Sequence, residues 1–147
     1  MAATAGQIAE AGRIPGERIE TTEVTANSST FTTTEIDVAS VTAPLVSGRT
    51  YLVYFDGAFN TSTTGDIVRG RLREDNTTGS VRQTRDTPAM TSGATVEPLI
   101  MQAEYTAVST GDKTFVATAV RLTGTGTPNL QAASGFPSFL WVDYTRG

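Results

Sequence analysis

Between Arg49 and Asp75 the chain reads RTYLVYFDGAFNTSTTGDIVRGRLRED, and this run limits the fold more than any other stretch. Tyr51, Val53 and Phe55 fall on one face of an extended segment. Val68, Gly70 and Leu72 fall on one face of a second. A period of two marks a strand with one face in the core, because successive side chains point to opposite sides. Asn60 to Gly65, between the two, is made of Asn, Thr, Ser and Gly, which are loop residues. A chain organised around two such segments is expected to be a β protein.

The same pattern continues on either side. Thr21 to Thr25 is the first candidate strand, and Phe31 to Val41 the second, with Ile36 and Val38 on one face. Ala43 to Gly48 reads as a connection. Asn76-Thr77-Thr78-Gly79 is short enough to close a hairpin between Arg69–Glu74 and Val81–Arg85. From Val96 to Ala107, Leu99, Met101, Ala103 and Tyr105 alternate with polar neighbours, and Pro98 suits a strand's opening or an edge. Phe115 to Leu122 alternates again. Thr123 to Pro137 is irregular, and Phe139 to Tyr144 closes the chain as an aromatic strand. The expectation is an all-β, jelly-roll-like β-sandwich of about eight antiparallel strands over residues 20–147.

Residues 1–19 differ. They are rich in Ala and Gly, and Gly6, Gly12, Pro15 and Gly16 interrupt any helix. This segment reads as an extended N-terminal arm, either a frayed terminus or an anchor that orders on a partner surface. Ile8, Ile14 and Ile19 are the apolar groups such an anchor could bury. The opening MAATAGQIAEAG has neither a basic nor an apolar secretion region, and no apolar run of about eighteen residues occurs, so neither a signal nor a membrane span is expected.

The absence of Cys and His excludes disulfides, thiolate ligands and Ser-His-Asp or Cys-His catalysis. It also removes the usual zinc ligands. The single lysine, Lys113, follows STGD and belongs to no phosphate-cradling loop. Glu74 and Asp75 are adjacent on a strand end and so point apart. Asp56 and Asp66 flank the central loop, where they read as turn formers or, with Asn60, as ligands of a calcium ion. No cofactor is expected. The net charge of −4 argues against a nucleic-acid partner held by phosphate contacts.

Two features suggest contact surfaces. Arg69, Arg71 and Arg73 fall on one face of a strand, with Arg82 and Arg85 on its hairpin partner. They read as a solvated outer face or as forks for carboxylates of a neighbouring subunit. Trp141, with Phe136, Phe139 and Tyr144, forms an aromatic cluster suited to core or subunit interface, or to stacking on a sugar.

The run LVSGRTYLVYFDGAFNTSTTGDIVRGRLRED and the closing FPSFLWVDYTRG resemble small β-rich virion proteins of tailed bacteriophages, especially those infecting actinobacteria. The likeness extends from Thr21 to Gly147 and concerns strand order and style; no individual functional residue carries over. It implies a non-enzymatic capsid decoration, head-fibre or minor tail protein, made in the host cytoplasm and carried in the virion. It further implies a homotrimer that docks on the major capsid protein or another virion protein through its arm. The alternative is a tail or fibre module that binds host-surface glycans through loops such as Asn60 to Gly65 and Thr123 to Pro137.

Overall fold

The computed structural model describes residues 15–93 and 96–146. Nine strands follow in order: β1 (Arg18–Val24), β2 (Ile36–Leu45), β3 (Thr50–Asn60), β4 (Ile67–Glu74), β5 (Val81–Asp86), β6 (Glu97–Thr106), β7 (Gly111–Thr123), β8 (Asn129–Leu130) and β9 (Ser138–Arg146). One sheet has the order β1-β9-β3-β6, with the short β8 also paired to β3; the other has the order β2-β7-β4-β5. All pairings are antiparallel. Leaving β8 aside, consecutive long strands repeatedly cross between two sheets in the interleaved order of a jelly roll. The two central segments of the sequence are therefore not a hairpin: β3 lies in the first sheet, β4 in the second, and the loop between them crosses the sandwich.

The alternating faces meet in the core. Tyr51, Val53 and Phe55 from β3 and Leu140, Val142 and Tyr144 from β9 point inward from the first sheet. Val68 and Leu72 from β4 and Phe115, Ala117 and Ala119 from β7 point inward from the second. At Gly70 the sheets approach so closely that a Cβ would sit 2.4 Å from Leu99 Cδ2 and 3.1 Å from Met101 Cε. Only glycine leaves room there for the large side chains of β6.

Two departures from the sequence pattern have physical causes. The second strand begins at Ile36, not Phe31. Phe31 sits in the preceding loop, buried, with its ring edge-on to Phe59 at 6.0 Å, and plugs one end of the sandwich. In β7 the alternation fails: Phe115 to Ala119 are buried without a break. The outer face of this strand is covered as well as the inner one. Glu35 lies across it, accepting hydrogen bonds from Arg71 at 2.7 Å, from Arg73 Nε and Nη2 at 2.9 Å, and from the Thr118 hydroxyl.

The open margins of the two sheets at β5 and β6 close on each other through side chains. Gln83 Oε1 accepts the Gln102 N–H, while Arg82 and Arg85 donate to the carbonyls of Glu104 and Ile100. Pro98 stands on β6, at the edge of its sheet, where its missing N–H costs no ladder bond.

Two measurements test these contacts. Gly70→Val should lower the unfolding free energy by about 1–3 kcal/mol, read as a lower urea midpoint at unchanged slope, because it overpacks Leu99 and Met101. The Glu35 carboxyl experiences desolvation, which raises its pKa. Its hydrogen bonds from Arg73 and Thr118 and the positive charges of Arg71 and Arg73 outweigh that and hold it below its ordinary value. A carboxyl depressed in the folded state stabilises above its unfolded pKa, and that contribution disappears as pH falls through the folded pKa. Urea midpoints measured from neutral pH down to roughly pH 3 should therefore fall less steeply for Glu35→Gln than for the wild type.

Candidate functional site

The winding separates the connections into two ends. At one, the near end, are residues 15–17, the turns 46–49, 75–80 and 107–110, and the close of β9. Gly16 and Glu17 are held there by hydrogen bonds to the backbone of Tyr144. At the far end are the longer segments: 25–35, 61–66, the connection from β5 to β6, and the stretch from β7 through β8 to β9. Long loops carried on a rigid frame are where binding sites concentrate.

A buried carboxylate fixes the far-end loops. Asp66 is wholly inaccessible; it accepts the Thr61 hydroxyl and, at 3.1 Å, the Gly126 N–H. Its carbonyl takes the Met90 N–H at 2.8 Å, and the Met90 carbonyl takes the Gly65 N–H at 2.8 Å. A Cβ on Gly124 or Gly126 would strike the Asp66 carboxylate, at 1.9 and 2.2 Å respectively. Asp66 is thus a structural group in a turn, while Asp56 is exposed on β3. Among the described residues, no three Asp or Glu side chains gather as metal ligands would.

Beside these loops Ala133, Ser134, Gly135 and Phe136 form a tight turn. The Ala133 N–H donates to the Phe136 carbonyl at 3.0 Å, and the Phe136 N–H to the Ala133 carbonyl at 2.9 Å. The turn holds the Phe136 side chain out, with 52% of the residue exposed. Hollows lie on both sides of it. One, of about 470 Å³, is lined by Asn27, Val96, Gln131, Ala132, Ala133 and Phe136. The other, of about 240 Å³, is lined by Asp56, Gly57, Ala58, Pro98, Pro137 and Ser138 as well as Phe136. Ser138 is 1% exposed, and its hydroxyl has no hydrogen-bond partner among the described residues. The cleft therefore combines an aromatic ridge, two amides and a carboxylate, while the Ser138 side chain falls on the core-facing side of β9 with Leu140 and Val142.

The residues singled out from sequence lie elsewhere. Ile8 and Ile14 fall outside the described residues. Ile19 belongs to β1 and packs partly buried against the core, so the boundary drawn after it cuts a strand. Arg69, Arg71 and Arg73 do share a face, but carboxylates of the same chain take them up: Asp86 binds Arg69 at 2.8 and 2.9 Å, and Glu35 binds the other two. Within the chain, their forks hold β4 to β5 and to the segment before β2.

Trp141 lies on the outer face of the first sheet, partly buried. Tyr54 stacks on it at 4.3 Å, and the Arg18 guanidinium lies 4.4 Å from the ring centroid. Its indole N–H donates to Asp143 at 3.1 Å. With Tyr54 and Arg18 packed against its ring, Trp141 is not a free platform for a sugar. Phe136 was read from sequence only as one of the C-terminal aromatics. The signal that marked it was the Gly-Phe-Pro context, which combines a turn with a side chain too large for one.

No family model and no curated protein sequence matches the chain. Solved structures do resemble it in fold. A carbohydrate-binding module of Cellvibrio mixtus lichenase 5A, in complex with cellotriose, is 16% identical with a TM-score of 0.44; the match covers 88% of this chain and 100% of that one. The infectious bursal disease virus VP2 subviral particle is 14% identical with a TM-score of 0.45, covering 89% of this chain and 38% of that one. Dimeric latent PorU from Porphyromonas gingivalis is 11% identical with a TM-score of 0.48, covering 92% and 13%. The chain's own strand order makes it a jelly-roll β-sandwich.

Proposed function

We propose that this chain is a non-catalytic virion component, a capsid decoration protein that docks through the segment preceding Pro15 and strengthens the shell by surface contact. The observation that supports this reading is the opposition of its two ends. Pro15 to Glu17 lie at the near end, tied to Tyr144. The far-end loops lie at the opposite end of the sandwich from Pro15. A domain attached there holds its loops away from the surface that carries it. Between the ends stands a frame whose principal charges are already paired within the chain, with Glu35, Asp86 and Asp143 each holding an arginine. In the proposed assembly the protein is a homotrimer and its partner is the major capsid protein or another virion protein.

Deleting residues 1–14 leaves every described strand intact, because β1 begins at Arg18. The truncated protein should melt within about 2 °C of the full chain, a shift equivalent to less than 1 kcal/mol in a domain of this size. It should fail to co-sediment with capsids lacking the native protein, whereas the full chain binds them. Attachment of the truncated protein at wild-type level would overturn the docking role. A monomer in sedimentation velocity would overturn the trimer.

A further inference from the structure

The cleft astride Phe136 plays no part in attachment at the near end, and its chemistry is specific. Asn27 has committed its carbonyl oxygen to the Ala132 N–H at 2.9 Å, and Gln131 has committed its own to the Asn60 amide at 3.1 Å. Among the described residues the NH2 groups of both donate to nothing, so each can meet an acceptor in the larger hollow. Val96, Ala132 and Ala133 give that hollow small apolar walls. The smaller hollow holds the opposite polarity: the Asp56 carboxylate, which accepts.

These groups constrain the occupant. Among the described residues no arginine or lysine lines either hollow, and Asp56 stands in one of them, so an anion is disfavoured. A purely apolar ligand would bury Asp56 without a partner. The occupant must carry an aliphatic face for the Phe136 ring, hydroxyls to donate to Asp56, and a carbonyl acceptor next to a methyl-sized apolar group.

We propose that this cleft binds a neutral saccharide bearing an N-acetyl group. The sugar ring lies against Phe136. Its acetamido carbonyl accepts from Asn27 and Gln131, with the methyl against Val96, Ala132 and Ala133. Its hydroxyls reach Asp56 across the ridge. The paired hydrogen bonds of the Ala133–Phe136 turn fix the backbone that carries the ring before the ligand arrives, which lowers the entropic cost of binding.

The test uses the full chain labelled with 15N and titrated with N,N′-diacetylchitobiose. Two comparison sugars are cellobiose, which lacks the acetamido group, and a hyaluronan tetrasaccharide, which has it but is anionic. The diacetylated sugar should shift the amide signals of Asn27, Ala132, Ala133, Phe136 and Ser138. Cellobiose and the hyaluronan fragment should each bind about tenfold more weakly or worse. Phe136 is largely exposed, so Phe136→Ala should fold normally and lose at least about tenfold in affinity. Asp56→Asn should weaken neutral-sugar binding and narrow the preference against the hyaluronan fragment. No signal change with millimolar diacetylchitobiose, equal binding of cellobiose, or wild-type affinity in Phe136→Ala would each overturn the proposal.

Discussion

The passage of the chain from one sheet to the other rests on Asp66. Between β3 and β4 the backbone must leave the first sheet and enter the second, and that crossing exposes polar backbone that no ladder satisfies. Asp66 gathers it up. Its carboxylate binds Thr61 within the crossing and Gly126 beyond β7, and its carbonyl binds Met90 beyond β5. Three loops from distant parts of the sequence are thereby joined at one buried residue. The two glycines beside it are there because any side chain would occupy the space of the carboxylate. A group that is costly to bury is tolerated because it replaces several unsatisfied donors.

That joint positions the rest of the far end. With the crossing and the 124–127 segment held in place, β8 pairs with β3, and the chain is delivered to the turn that carries Phe136. The near end needs no such device, since its connections are short turns between neighbouring strand ends. One end of the barrel-like wrap is therefore simple and the other elaborate. The division follows from how the winding distributes its long connections.

Much of the frame was legible in the sequence, for a physical reason. A strand with one wet and one dry face writes its period into its residues, and Tyr51-Val53-Phe55, Val68-Gly70-Leu72 and Leu99-Met101 did so. The hairpin of β4 and β5 was legible from its turn residues, and Pro98 from its missing donor. What was hidden had no period to reveal it. Phe31 and Met90 fill the core from loops, where neighbouring residues carry no pattern. The continuous burial of Phe115 to Ala119 depends on Glu35, a residue far away in sequence. Arg71 and Arg73 showed their common face but not their partner, because Glu35 lies 36 residues before Arg71 and outside any strand, and leaves no local trace. The cleft was hidden for the same reason: it assembles Asn27, Asp56, Gln131 and Phe136 from three separate segments.

The seam between β5 and β6 has a consequence for a protein held at high local density. An uncovered strand margin offers donors and acceptors to an identical neighbour, and crowded copies can then zip into fibrils. Here Gln83, Arg82 and Arg85 already engage the main chain of Gln102, Glu104 and Ile100. Two bulky cationic groups also stand where an incoming strand would lie. Copies packed side by side along this flank would repel one another and remain separate folded units, free to meet only through the surfaces left for recognition.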